Sequence, residues 1–170
     1  MMKTPVLAGD LMTHPVRRLT TEASVRDAAE FMLRWGISGA PVEDPHGRWV
    51  GVFTMSDLAR HVQDRLVKLP TVDPKRERTL ETREELPEGF GFEGFEDVIV
   101  GDLMTGGLYS VFPEATLEEV VRALVARKVH RLFVIDEKGG ILGVITTMDV
   151  MRWMDERARE AHPARKAAGA

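Results

Sequence analysis

Two short runs in this chain carry residue types able to hold a sugar hydroxyl or a phosphate: Thr54-Met55-Ser56-Asp57 and Thr146-Thr147-Met148-Asp149. Each follows an apolar, strand-like run, Gly51-Val52-Phe53 or Gly143-Val144-Ile145, and each opens a stretch with helical spacing of apolar residues. A threonine followed three residues later by an acid is the pattern of a capping box, in which hydroxyl and carboxylate satisfy amide donors at a helix start. The same placement suits a ligand. A helix N-terminus offers amide donors and partial positive charge to a phosphate, and a neighbouring carboxylate can accept both hydroxyls of a ribose. Recurrence does not choose between these readings, because a duplication copies caps and sites alike.

His130-Arg131, at the start of a second apolar run, is the other chemically distinctive pair. Arginine grips phosphate through two parallel N–H donors and histidine adds another. The plain alternative is a surface arginine paired with an acid beside a half-buried histidine. The remaining chemistry is sparse. There is no cysteine, and His14, His46, His61 and His162 are scattered, with none at metal-ligand spacing from a second histidine. No nucleophile-elbow signature surrounds any serine, so neither a catalytic residue nor a metal site is expected. Met12, Met104, Met148, Met151 and Met154 offer a soft binding surface in principle, but core packing is the expected role.

The elements that must position these residues occur twice. Gly9-Asp10-Leu11-Met12-Thr13 returns as Gly101-Asp102-Leu103-Met104-Thr105, an offset of 92, and the register holds without a gap through Glu22-Ala23, Val42, Asp44, Gly47 and the Gly51 to Asp57 run. At this offset His130-Arg131 faces Ser38-Gly39, so the copies diverge at the cationic pair. A unit of about 50 residues buries only about 60% of its chain surface and is marginal alone, which favours two copies packed about a pseudo-twofold axis, with any shared site near it. The expected boundaries are 9–62 and 101–154, joined by a 63–100 segment and followed by a charged tail at 155–170.

Each copy reads as strand, helix, strand, strand, helix, an α/β (α+β) pattern. The first strands are Val16 to Leu19 and Leu108 to Val111. Ser24 with Asp27, and Thr116 with Glu119, mark helix starts, and Gly36 marks a helix stop. Ala40 to Val42 and Leu132 to Ile135 lead into the turns Asp44-Pro45-His46-Gly47 and Asp136-Glu137-Lys138-Gly139, which Trp49 to Phe53 and Ile141 to Ile145 close as hairpins. The last helices start near Ser56 and Thr147. Between the copies, Glu84 to Asp97 holds six acids and no base, with Phe90, Phe92 and Phe95 alternating with glycines. It reads as a solvated linker, or as a lid or partner-docking segment.

The composition, 44% hydrophobic and 29% charged with net charge -4, is that of an ordinary globular chain. It argues against nucleic-acid binding by bulk basicity. No apolar run reaches membrane-span length and no signal-peptide pattern opens the chain, so a cytoplasmic location is expected. The absence of asparagine, with one glutamine and 17 arginines against 6 lysines, suggests a thermophilic source.

Together these runs resemble CBS domains paired as a Bateman module. The resemblance rests on Asp-Leu-Met-Thr at 10–13 and 102–105, Ser38 to Val42 with His130 to Val134, the Asp-x-x-Gly turns, and the Gly-Val-Phe-Thr-x-x-Asp and Gly-Val-Ile-Thr-x-x-Asp runs. It implies two pseudo-symmetric repeats packed through their sheets, binding adenosine-containing ligands (AMP, ADP, ATP or S-adenosylmethionine) in clefts between them, with no cofactor required. On this resemblance Asp57 holds the ribose, Thr54 and Ser56 lie near the phosphates, and His130 and Arg131 meet the phosphate. Adenine lies near Val16, Ile37, Ser38, Gly39 and Pro41. Thr146 and Asp149 form the counterpart site, weaker without a cationic pair and narrowed by Phe133. A homodimer is implied, and with no enzyme or transporter domain in the chain the output is expected in trans on an effector protein. The competing reading is a protein-interaction scaffold with vestigial nucleotide sites.

Overall fold

The computed structural model describes residues 5–67 and 97–161. The acidic Phe/Gly run, Asp97 excepted, and the tail from His162 lie outside the described residues.

The expected hairpins form where their turn chemistry requires. Strand β2 (Gly39–Glu43) pairs antiparallel with β3 (Trp49–Thr54), placing Gly39 opposite Thr54 and Val42 opposite Gly51. The turn between them is organised by Asp44, whose Oδ1 accepts from the amides of His46 and Arg48 at 2.9 Å each, while Gly47 takes a φ of 77°. These bonds, the Arg48 amide foremost, hold the Asp44 carboxyl below its usual pKa. In the second copy β6 (Arg131–Ile135) and β7 (Ile141–Thr146) repeat the register, with Arg131 opposite Thr146. Asp136 Oδ1 accepts there from the amides of Lys138 and Gly140, and Gly139 has a φ of 81°.

Helices α2 (Val25–Trp35) and α5 (Leu117–Arg127) begin as the capping patterns predict. Ser24 Oγ accepts from the Asp27 amide at 3.0 Å, and Thr116 and Glu119 complete a reciprocal box. Each lays an apolar stripe on its sheet: Val25, Ala28 and Met32 in one copy, Val120 and Leu124 in the other. Gly36 ends α2 in the left-handed region at φ 60°. The equivalent stop of α5 is Lys128, also left-handed at φ 54°.

The first strands are shorter than the sequence predicts. Only β1 (Leu19–Thr20) and β5 (Ser110–Val111) pair, each parallel to its hairpin. Arg17 instead lies over the Trp35 ring at 3.4 Å, so the Val16 to Leu19 run serves the helix as well as the sheet. The lead-in runs form short helices absent from the sequence reading, α1 (Ala8–Leu11) and α4 (Val100–Leu103).

Those lead-ins are exchanged between the copies. One compact unit comprises residues 17–107; the other joins the chain up to Val16 to residues from Leu108 onward. In the 17–107 unit the Val25 amide bonds the Val98 carbonyl, the Val100 amide bonds the Ala23 carbonyl, and Val100 sits fully buried in the cluster of Val25, Ala28, Met32, Val42 and Phe53. Strand β4 (Thr105–Gly106) then joins the edge of β3, completing the order β1-β2-β3-β4. In the other unit Ala8 fills the equivalent place among Val120, Leu132, Val134 and Ile145, and Thr13 bridges Val144.

The last helices, α3 (Met55–Val67) and α6 (Thr147–Ala161), start within one residue of expectation. Helix α6 runs through the charged residues 155–160, braced by an Arg159–Asp155 ion pair at 2.9 Å. The methionine expectation needs correction. Met12 and Met104 pack against the two cores, but Met148, Met151 and Met154 are all about 60% exposed along α6. Their three-residue spacing keeps them on the outer side of the helix, away from Asp149 and Val150, which are buried.

Candidate functional site

In both units the Thr-x-x-Asp run closes a capping box on the last helix, as the spacing predicts. Asp57 Oδ2 accepts from the Thr54 amide at 2.8 Å and the Thr54 hydroxyl at 2.6 Å, while Thr54 Oγ1 accepts in return from the Asp57 amide at 3.4 Å. Asp149 and Thr146 repeat this at 2.7, 2.6 and 3.4 Å. The box holds each carboxylate nearly out of solvent, at 3% exposure for Asp57 and 9% for Asp149. It also uses only one oxygen of each. The outer Oδ1 accepts from an arginine one turn on, Arg60 at 3.2 Å or Arg152 at 3.0 Å. Both guanidinium groups are mostly exposed and so displaceable.

The supply of free amides at these helix starts is smaller than the bare pattern suggests. The Met55 amide bonds the Ser38 carbonyl, and the Thr147 amide bonds the His130 carbonyl, both at 3.1 Å. With the Asp57 and Asp149 amides held in the boxes, the donors left to an anion in each first turn, among the described residues, are those of Ser56 and Met148.

The 17–107 unit brings together Thr54, Ser56, Asp57, Ser38 and Gly39, with Gly39 directly across from Thr54. The other unit brings together Thr146, Asp149, His130 and Arg131, with Arg131 across from Thr146. The two groups the resemblance joins around one phosphate, Thr54 to Asp57 and His130-Arg131, therefore belong to different compact units. His130 is exposed and Arg131 half-buried, and desolvation lowers the Arg131 pKa from its usual value. Of the residues assigned to adenine, Ile37 packs on the core of the 17–107 unit, Pro41 is fully buried in β2 opposite Val52, and Val16 belongs to the other unit.

Three residues at these carboxylates escaped sequence reasoning. Arg60 and Arg152 are identical at the 92-residue offset, which was the available signal. Thr105, whose hydroxyl reaches Asp57 Oδ1 at 3.1 Å, had none, because no spacing rule links residues 48 apart. Among the described residues no group of three or more histidine or acidic side chains is arranged to hold a metal ion, and no helix is long and apolar enough to cross a membrane.

The CBS domain family model matches the chain twice, over residues 8–64 and 100–156. The chain belongs to the CBS domain family. Among its curated relatives, the chloroplastic CBS domain-containing protein CBSX2 of Arabidopsis thaliana is 31% identical over 155 residues, covering 85% of this chain and 61% of the relative. The uncharacterized protein MJ1426 of Methanocaldococcus jannaschii is 26% identical over 153 residues, 86% of this chain and 89% of the relative. A crystal structure of CBSX2 in complex with AMP superposes with a TM-score of 0.66 at 28% identity, over 91% of this chain and 99% of that one. The CBS domain pair of MJ0100, crystallised with methylthioadenosine and S-adenosyl-L-methionine, shares the fold at a TM-score of 0.68 and 16% identity, over the same shares of the two chains. The two CBS repeats of this chain are thus the two copies read from its sequence.

Proposed function

We propose that this CBS pair is a regulatory sensor of adenosine-containing ligands, with no catalysis of its own, and that Asp57 and Asp149 accept the ribose hydroxyls. The carrying observation is that both units hold a shielded carboxylate at a helix start with one oxygen fixed and the other bonded to a displaceable arginine. A ribose can replace that arginine without dismantling the cap. The complex of the relative CBSX2 with AMP supports adenosine monophosphate as the first ligand to test.

In this reading Thr54 and Ser56 lie near the phosphate of the ligand at Asp57, His130 and Arg131 neutralise it, and Thr146 with Asp149 takes a second, less charged ligand. The adenine contacts are Val16, Ile37, Ser38, Gly39 and Pro41. Self-association through the exposed α6 methionines and an effector acted on in trans belong to the same reading.

Thermal unfolding with AMP, ADP, ATP and S-adenosylmethionine tests it. A ligand present at about 100 times its Kd stabilises the folded chain by about 2.7 kcal/mol, a shift of several degrees. No shift with any of the four at millimolar concentration overturns the reading.

A further inference from the structure

The two ribose-acceptor carboxylates are not equally encumbered. Oδ2 is taken by the threonine of the box in both. Among the described residues Oδ1 of Asp149 accepts a single bond, from Arg152. Oδ1 of Asp57 accepts two, from Arg60 Nη1 at 3.2 Å and from Thr105 Oγ1 at 3.1 Å, which fills both lone-pair positions of that oxygen.

Thr105 is held there by backbone. It pairs with Val52, Gly106 pairs with Gly51, and the Gly107 amide bonds the Val50 carbonyl at 3.1 Å. Gly51 makes the approach possible, since a Cβ at that position would lie 2.5 Å from the Thr105 carbonyl oxygen. In the other unit Thr13 occupies the matching place, bonded to the Val144 backbone at 2.8 and 3.1 Å, and among the described residues its hydroxyl makes no bond to Asp149.

We infer that Thr105 is a specificity-determining residue of the Asp57 site: its hydroxyl occupies the carboxylate position that the second of two vicinal ligand hydroxyls needs, so a ribose must displace it. The inference rests on the reading of Asp57 as ribose acceptor. A ligand with one hydroxyl needs only the place of Arg60, whose side chain is long and exposed. A ribose must also turn the Thr105 hydroxyl away, and because Thr105 is exposed the released group meets water. Displacement then costs about one net hydrogen bond, and the Asp149 site carries no such cost.

Calorimetric titration of the full chain with AMP and with 2′-deoxy-AMP, in an Asp149→Ala background that leaves the Asp57 end, tests this. Thr105→Val is expected to tighten AMP by about 3- to 10-fold, the worth of one net hydrogen bond. Deoxy-AMP should move by less than about twofold, since it needs no second position. Thr105→Ala should reproduce the gain and Thr105→Ser should abolish it. AMP affinity unchanged or weakened by both Thr105→Val and Thr105→Ala overturns the inference while leaving the ribose reading intact. Failure of the unsubstituted chain to bind AMP strikes the ribose reading itself and takes this inference with it.

Discussion

On the proposed reading Asp57 and Asp149 each divide one carboxylate between a structural and a binding role, and the division sets what their removal does. Losing the box costs about 0.5–2 kcal/mol of stability at either position, so each variant is titrated well below its own melting temperature. The effect on binding differs. A charge-assisted bond from Arg131 to phosphate is worth about 1.5–3 kcal/mol, whereas displacing the Thr105 hydroxyl costs about 0.5–1.5 kcal/mol. On the proposed assignment of Arg131 to that phosphate, the cationic pair outweighs the Thr105 term and makes the Asp57 site the tighter one despite its extra partner. Asp57→Ala is therefore expected to weaken AMP binding more than Asp149→Ala, by about tenfold relative to it in calorimetric Kd. Equal or reversed losses sink the assignment of His130 and Arg131 to the ligand of the Asp57 site.

The secondary structure elements show which signals were local enough to read from sequence. Helices α2 and α5, the two hairpins and their Asp-Gly turns depend on residues within a few positions of each other, and their spacing displayed them. The end of α5 was hidden for a physical reason: its left-handed residue is Lys128, where α2 has Gly36. A side chain in that region costs about 1–2 kcal/mol, and part of this returns when glycine, with its freer unfolded state, replaces it. Lys128→Gly is accordingly expected to raise stability by about 0.5–1 kcal/mol. Nothing crowds a Cβ at Gly36, so Gly36→Ala should lower it by about 1 kcal/mol through backbone strain alone. Urea midpoints at constant slope measure both, and changes of the same sign in the two variants contradict the account.

At the scale of the whole molecule, the exchange of lead-in segments was beyond the reach of the repeat pattern. The identity of residues 9–13 with 101–105 fixes register between the copies, but it does not say which copy each run packs on. The structure places Val98, Val100, Leu103 and Met104 against the core of Val25, Met32 and Phe53. A fragment spanning 9–62, a repeat as sequence delimits it, therefore lacks four apolar partners. Full burial of one such side chain is worth about 1.5–3 kcal/mol, and a domain of this size has only a few kcal/mol of net stability to lose. A fragment spanning 17–107 keeps those partners together with the edge strand Thr105–Gly106. Circular dichroism is expected to show a cooperative thermal transition for 17–107 and none for 9–62. A cooperative 9–62 fragment would mean that the exchanged lead-in only decorates a core already closed, whereas failure of 17–107 to fold would mean that this unit is not stable without the rest of the chain.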